Sequence, residues 1–227
     1  MTRTAYYDEL KRLARALRAE YAFQTPRVQI SDLRRIYRAE GIRIELWPPA
    51  GRSSPSARLR HLRGAYLDEP PLPPWVMVAR SLPAEQRIYT LAHELKHHFR
   101  DRSTGLVHCL RELDRDPREI GAEIFAVELI FPDEDFVRSI AEMRTEQGEC
   151  SAETIVRLKA STRTTLSYTS LAKRTEFMGF APPGSFKRVR WKILAEHVLG
   201  EPVYKRVLRA RTRRAGLGTH GAACLNP

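Results

Sequence analysis

Residues 91–99 carry the stretch that decides how the chain is interpreted, Leu91-Ala92-His93-Glu94-Leu95-Lys96-His97-His98-Phe99. It contains a His-Glu-x-x-His pattern. On a helix, residues four apart lie one above the other, so His93 and His97 present two imidazoles to a single point. This is half of a tetrahedral zinc site, and Glu94 adds a carboxylate that can act on a water molecule there. The stretch therefore predicts a metallohydrolase site.

The residues around this pattern favour a helix. Ser81 and Pro83 predict its start, with Ser81 as the cap, and Glu85 places an acid at the positive end of the helix. Apolar side chains at helical spacing form one stripe opposite the two histidines. The stripe comprises Ile88, Leu91, Ala92, Leu95 and Phe99. We expect it to anchor the helix and leave the histidines lining a cleft, whereas the alternative is a surface helix with scattered histidines.

A zinc site of this kind needs a third protein ligand. Residues 116–132 are typical of a second, mostly apolar helix, with Glu119 and Glu123 on one face and Glu128 on the other. A buried carboxylate needs a partner, because an unpaired buried charge is costly, and a metal with its histidines would be one. Glu119 also fits a capping box with Asp116, and this alternative stays open. For Glu128 we expect an ordinary solvated or paired acid.

The two motifs together resemble the ImmA/IrrE family of metallopeptidases, which belongs among the gluzincin-like zinc peptidases. The resemblance rests on His93-Glu94-Leu-x-His97 followed by Glu119-x-x-Ala122-x-x-Phe125-Ala126-x-x-Leu129-x-x-Pro132. In that family the Glu that opens the second motif is the third metal ligand. The resemblance therefore implies a site of His93, His97 and Glu119, with Glu94 as the catalytic acid and base.

The sequence departs from the family pattern at a few positions. Glu123 stands where an Asn usually follows the Ala, and it resembles the acid that orients a ligand histidine in other gluzincins, a role the resemblance implies for Glu123. Lys96 replaces a small residue but lies outside the predicted ligand set. The predicted cofactor is Zn²⁺, although two imidazoles and a carboxylate can also hold Mn²⁺ or Fe²⁺.

Composition limits the class of protein. The chain has 227 residues, of which 42% are hydrophobic, enough for one core and a small appendage. Its first residues do not read as a secretory signal, and no apolar run approaches the length of a membrane span. Cys109, Cys150 and Cys224 are odd in number and widely spaced, which favours reduced thiols and a cytoplasmic protein without membrane partners.

The remaining pattern predicts an α+β fold. Two helices, around 6–21 and 31–41, precede strands at 42–46, 63–67 and 75–79, and residues 101–115 read as a loop on the cleft rim. A small three-stranded sheet leading into the histidine helix is the layout of zinc peptidases. We therefore expect a zincin-like metallopeptidase core with a three-stranded sheet, followed by a helical C-terminal region.

Four segments are predicted along the chain. Residues 1–147 form the metallopeptidase domain, 148–182 a helix pair like the helix-turn-helix segment of some family members, 183–215 a basic helical extension, and 216–227 a disordered tail. The extension carries most of the net charge of +12, since from Phe186 onward ten Lys and Arg face two acids. Such a segment can attract nucleic acid or an acidic partner, or simply aid solubility.

The function predicted from these features is zinc-dependent hydrolysis of a peptide bond. The resemblance implies a protein substrate, a helix-turn-helix repressor whose single cut releases stress-response or mobile-element genes. Two alternatives stay open. One is a non-enzymatic DNA- or protein-binding regulator with a structural metal site, and the other is a protease recruited to DNA by its basic C-terminal region.

Overall fold

The structure, a computed structural model, describes residues 2–48, 62–102, 107–108, 116–200 and 202. Helices and strands both occur there, which confirms the predicted α+β class. In chain order the elements are α1 Arg3–Glu20, α2 Ile30–Ala39, β1 Arg43–Trp47, β2 Gly64–Leu67, β3 Trp75–Ala79, α3 Ala84–Arg100, β4 Val107–His108, α4 Pro117–Ile130, α5 Asp133–Glu142, α6 Ala152–Thr162, α7 Tyr168–Phe177 and α8 Trp191–Leu199.

The strands form one mixed sheet in the order β1-β3-β2-β4. Strand β1 pairs in parallel with β3, whereas β2 is antiparallel to both β3 and β4. The three predicted strands are present, and β4 adds a two-residue strand within the segment predicted as a loop. The loop prediction is wrong at those two residues, because two residues are too few to show the alternation that marks a strand.

Three helix starts show how local sequence sets the ends of the elements. The prediction of Ser81 as a cap is wrong, since α3 is preceded by Pro83 in an extended conformation and has no side-chain cap. Helix α2 starts slightly before the predicted residues, because the Asp32 carboxylate accepts a hydrogen bond from the Gln29 backbone N–H at 2.8 Å. Asp116 caps α4, accepting from the backbone N–H of Arg118 at 2.8 Å.

The histidine-bearing helix α3 lies between the sheet and the other helices. It packs on α4 and on β2 and β3, and α1 packs along α4. Its predicted apolar stripe is buried at Ile88, Leu91, Ala92 and Leu95 and half-buried at Phe99. Burial of this stripe fixes α3 against the core, as predicted.

The helix pair α6 and α7 shares this core. Leu158 of α6 and Leu171 of α7 belong to the same buried cluster as Leu95 and Phe125. The core is therefore continuous across residue 147, and the boundaries of the four predicted segments stay a prediction.

A buried charged cluster ties α7 to α4 and α5. The Arg174 guanidinium donates to the Phe131 carbonyl and to the Asp133 carboxylate, and lies 3.4 Å from the buried Glu128 carboxylate. Arg15 of α1 donates to the other oxygen of Glu128 at 2.8 Å. Burial raises the pKa of Glu128. Burial acts on Asp133 in the same direction, but the positive charges of Arg174 and Lys11 outweigh it and hold the Asp133 pKa below its usual range. Glu128 is thus a paired acid, as expected.

Several predictions fall outside the described residues. These concern Cys109, Cys224, the basic run 205–214 and the tail 216–227. Cys150 is described, and burial raises the pKa of its unpaired thiol to about 11. Within the described ranges, none of the helices combines the length and apolar character that crossing a bilayer requires.

Candidate metal centre

The two histidines of the motif lie on successive turns of α3, because helical geometry superposes residues four apart. The centroids of the His93 and His97 rings are 5.2 Å apart. The side chain of His97 is fully buried, whereas that of His93 is 11% exposed, so solvent reaches the pair through His93.

Helix α4 brings Glu119 to the same point. Glu119 Oε2 lies 3.2 Å from His93 Nε2, and its Oε1 lies 3.5 Å from His97 Nε2. One ligand atom from each of the three residues lies within 4.8 Å of the others, close enough to bind a metal ion. Asp116 caps α4 through its own side chain, as the capping box predicts for its first residue. The Glu119 side chain lies beside the His93 imidazole.

The chemistry of these donors fits a divalent metal. Two imidazole nitrogens and one carboxylate oxygen are a ligand set that catalytic zinc uses, with one position left for water or substrate. The same three side chains can also bind Mn²⁺ or Fe²⁺.

Glu94 lies beside this cluster and is completely buried. It faces β2, where Gly64 leaves room for its carboxylate. A Cβ atom at position 64 would lie 2.5 Å from Glu94 Oε1 and would also collide with the Thr90 methyl group. The sheet therefore shapes the space in which the Glu94 carboxylate lies.

Asp101 holds the His97 ring in place. Its Oδ2 accepts from His97 Nδ1–H at 2.6 Å, which leaves Nε2 of the same ring directed at Glu119. Burial alone would raise the pKa of Asp101, but hydrogen bonds from His97 and Lys96 hold it below its usual range. The orienting role predicted for Glu123 stays a prediction.

Glu123 is exposed on α4, and the described contacts include no hydrogen bond from it to His93 or His97. Glu123 lies one helical turn beyond Glu119 on α4. Its charge acts instead on Tyr89, whose pKa is raised by burial and further by Glu123. The Tyr89 ring lies 6.4 Å from that of His93, so a phenol that keeps its proton borders the site.

For two further residues of the site, the sequence contains a weak indication of their role. Asp101 follows His97 by four residues and so shares its helix face, the spacing at which side chains on a helix meet. Gly64 is a glycine inside a strand, which often marks a close approach of another group. Neither signal is specific by itself, because such pairs and glycines are common.

The fold and the cluster together define a metallopeptidase-type protein. The profile described as the IrrE N-terminal-like domain of peptidase family M78 matches residues 53–176, more than half of the chain. The chain therefore belongs to this family, which confirms the resemblance drawn from the two motifs. A search of curated proteins finds no match to the chain.

Proposed function

We propose that this protein is a metal-dependent endopeptidase, most simply a zinc enzyme, in which Glu94 serves as the catalytic acid and base. The observation that supports this most directly is the convergence of His93, His97 and Glu119 on one point beside a buried carboxylate. A structural zinc site would use four protein ligands, whereas the described cluster offers three. The site thus favours an enzyme over a regulator with a structural metal.

Each residue of the site has a distinct role in the proposed reaction. His93, His97 and Glu119 would hold the metal, which supplies Lewis acidity toward a water molecule and a peptide carbonyl. Glu94 accepts the proton of the attacking water and delivers it to the leaving nitrogen. Asp101 holds the His97 ring so that its Nε2 stays directed into the site.

The sheet offers a way to bind an extended substrate. Strand β4 pairs only with β2 among the described strands, so its other edge is open there. An extended peptide can add to such an edge through backbone hydrogen bonds. Because β2 also carries Gly64 beside Glu94, a peptide held at this side of the sheet would run close to the catalytic carboxylate.

The substrate we propose is a helix-turn-helix repressor, in keeping with the family resemblance, in a cytoplasmic stress-response or mobile-element switch. The full chain should be incubated with repressors from the same cell, with and without a chelator, and the products identified by mass spectrometry. We expect a single cut that stops with the chelator and returns with added Zn²⁺. Repressors that stay intact while other proteins are cut would contradict this substrate, and no cleavage of any protein would contradict the peptidase.

The intramolecular contacts of basic side chains on α6 and α7 argue against DNA binding by this helix pair. Lys159 donates to the Thr164 and Leu166 carbonyls at 3.1 and 2.6 Å, and Arg174 lies in the buried cluster with Glu128. The helix pair and its turn carry Lys159, Arg163, Lys173 and Arg174 as basic side chains that could contact DNA, and Lys159 and Arg174 are therefore engaged within the protein. Any nucleic acid or acidic partner is better assigned to the basic segment after residue 183.

Replacement of Gly64 by Ala should reduce peptide cleavage about 100-fold, because a displacement of about 1 Å at a catalytic group can cost that much. The new methyl group would collide with the Thr90 methyl group and lie 2.5 Å from Glu94 Oε1, so both buried side chains must shift. This overpacking should lower the free energy of unfolding by about 1–3 kcal/mol. The zinc content should stay close to wild type, because the two displaced side chains are not among His93, His97 and Glu119. Wild-type cleavage by Gly64→Ala would show that Glu94 is not held by this contact.

A further inference from the structure

Lys96 is completely buried although it carries a charge. It lies inside the metal-binding motif, directly before His97, at a position where the resembling family has a small residue. A buried ammonium group is retained only where it has strong partners, because transfer of a charge out of water is costly. The partners of Lys96 therefore indicate what it does.

The first partner of Lys96 is the carboxylate that orients His97. Lys96 Nζ donates to Asp101 Oδ2 at 2.7 Å, and the same oxygen accepts from His97 Nδ1 at 2.6 Å. One carboxylate oxygen thus joins the ammonium group to the ligand imidazole. Two charge-assisted hydrogen bonds on this oxygen fix the carboxylate more tightly than either would alone.

The second partner is the backbone of the other ligand helix. Lys96 Nζ donates at 2.9 Å to the carbonyl of Arg118, the residue directly before Glu119. The ammonium group also lies 5.8 Å from the centroid of the Tyr6 ring of α1, a distance at which a cation is attracted to an aromatic face. Lys96 therefore connects the histidine helix α3 to the first turn of α4.

We propose that Lys96 is a positioning residue that sets metal affinity, acting on His97 through Asp101 and on Glu119 through the Arg118 carbonyl. This inference rests on the proposed metal site. Both effects keep the ligand atoms in place before the metal arrives, so that binding needs no rearrangement. Loss of groups that orient metal ligands typically weakens metal binding by about 10- to 100-fold.

The test is the affinity of the full chain for Zn²⁺, measured by competition with a chromophoric chelator. Lys96→Met keeps the length and bulk of the side chain but removes its donors, and we expect about 10- to 100-fold weaker Zn²⁺ binding. The matched control is Arg100→Met, on the same helix, where a surface pair with Glu9 is lost and affinity should not change. In the Co²⁺-loaded protein, Lys96→Met should alter the visible absorption bands, which report ligand geometry.

A double-mutant cycle separates positioning from general damage to the fold. Asp101→Asn should weaken Zn²⁺ binding as well, and the double variant should lose less than the product of the two single effects, because Lys96 acts on His97 through Asp101. If Lys96→Met does not fold, Lys96→Gln replaces it in the cycle. Unchanged Zn²⁺ affinity, or effects that simply multiply, would overturn the proposal.

These measurements do not depend on catalysis. A wild-type chain that binds Zn²⁺ tightly but cleaves nothing would defeat the proposed function while leaving the role of Lys96 to be decided by the affinities. A chain that cleaves its substrate, with the Zn²⁺ affinity of Lys96→Met equal to wild type, would do the reverse. The two ideas therefore fail under different results.

Discussion

Glu94→Gln is expected to lower peptide cleavage by about 10²- to 10⁴-fold, the range that a positioned acid and base contributes. The amide has nearly the same shape as the carboxylate, so it should fit the same buried space beside Gly64. It cannot accept the proton of the attacking water. Initial rates on a purified protein substrate, at equal metal content, would measure this loss.

Two further measurements make this result specific. Zinc content and the unfolding midpoint of Glu94→Gln should match those of wild type, since Glu94 is not one of the three clustered ligands. Glu85→Gln is the matched control, because this exposed acid in the first turn of α3 only pairs with Lys159. Cleavage by Glu94→Gln at the rate of Glu85→Gln would remove Glu94 from the mechanism.

Arg174→Met should reduce the free energy of unfolding by about 3–5 kcal/mol, the usual cost of removing one partner from a buried ion pair. The side chains of Arg174 and Glu128 are 6% and 1% exposed, so solvent cannot replace the lost partner. The variant also loses the cation over the rings of Phe131 and Phe136. Urea unfolding followed by circular dichroism would measure the change.

The loss of unfolding free energy in Arg174→Met should become smaller as the pH falls. Burial already raises the pKa of Glu128, and removal of Arg174 should raise it further. When the pH falls below that pKa, Glu128 binds a proton and no longer carries the charge that Arg174 helped Arg15 to balance. The difference in stability between Arg174→Met and wild type should therefore be smaller in mildly acidic buffer than at neutral pH.

Lys173→Met is the matched control for this experiment. Lys173 is the exposed neighbour of Arg174 on α7, and surface substitutions of this kind usually change stability by less than about 0.5 kcal/mol. Equal unfolding curves for the two variants would show that the buried cluster does not stabilise the packing of α7. Both variants remove one positive charge, so a general charge effect is held constant.

The three clustered side chains could be predicted because each lies on a helix whose pattern is strong. The shared face of His93 and His97 follows from helical spacing, and Glu119 follows from the second motif. The carboxylate on His97 was harder to predict. It belongs to Asp101 at the end of α3, whose spacing of four residues from His97 is too common in helices to indicate a contact by itself.

In the sheet, the bounds of a strand could be predicted from local sequence, whereas the pairing of the strands could not. Strand β3 has the predicted bounds, since its alternation marks a half-buried strand. The parallel pairing of β1 with β3, and the place of β4 beside β2, depend on contacts between distant segments. Lys96 is the clearest case, because a lysine in a helix pattern predicts an exposed side chain, yet its partners Asp101 and Arg118 bury it.

The shared core has a consequence for synthesis of the protein on the ribosome. The Phe136 ring contacts Phe131, which is made before it, but also Phe180 and Arg174, which are made later. A nascent chain that has emerged only as far as α5 would lack this later cover, and exposed apolar surfaces attract chaperones or aggregate. A chain terminated before α7 should therefore aggregate more readily than the full chain, even with His93, Glu94, His97 and Glu119 all present.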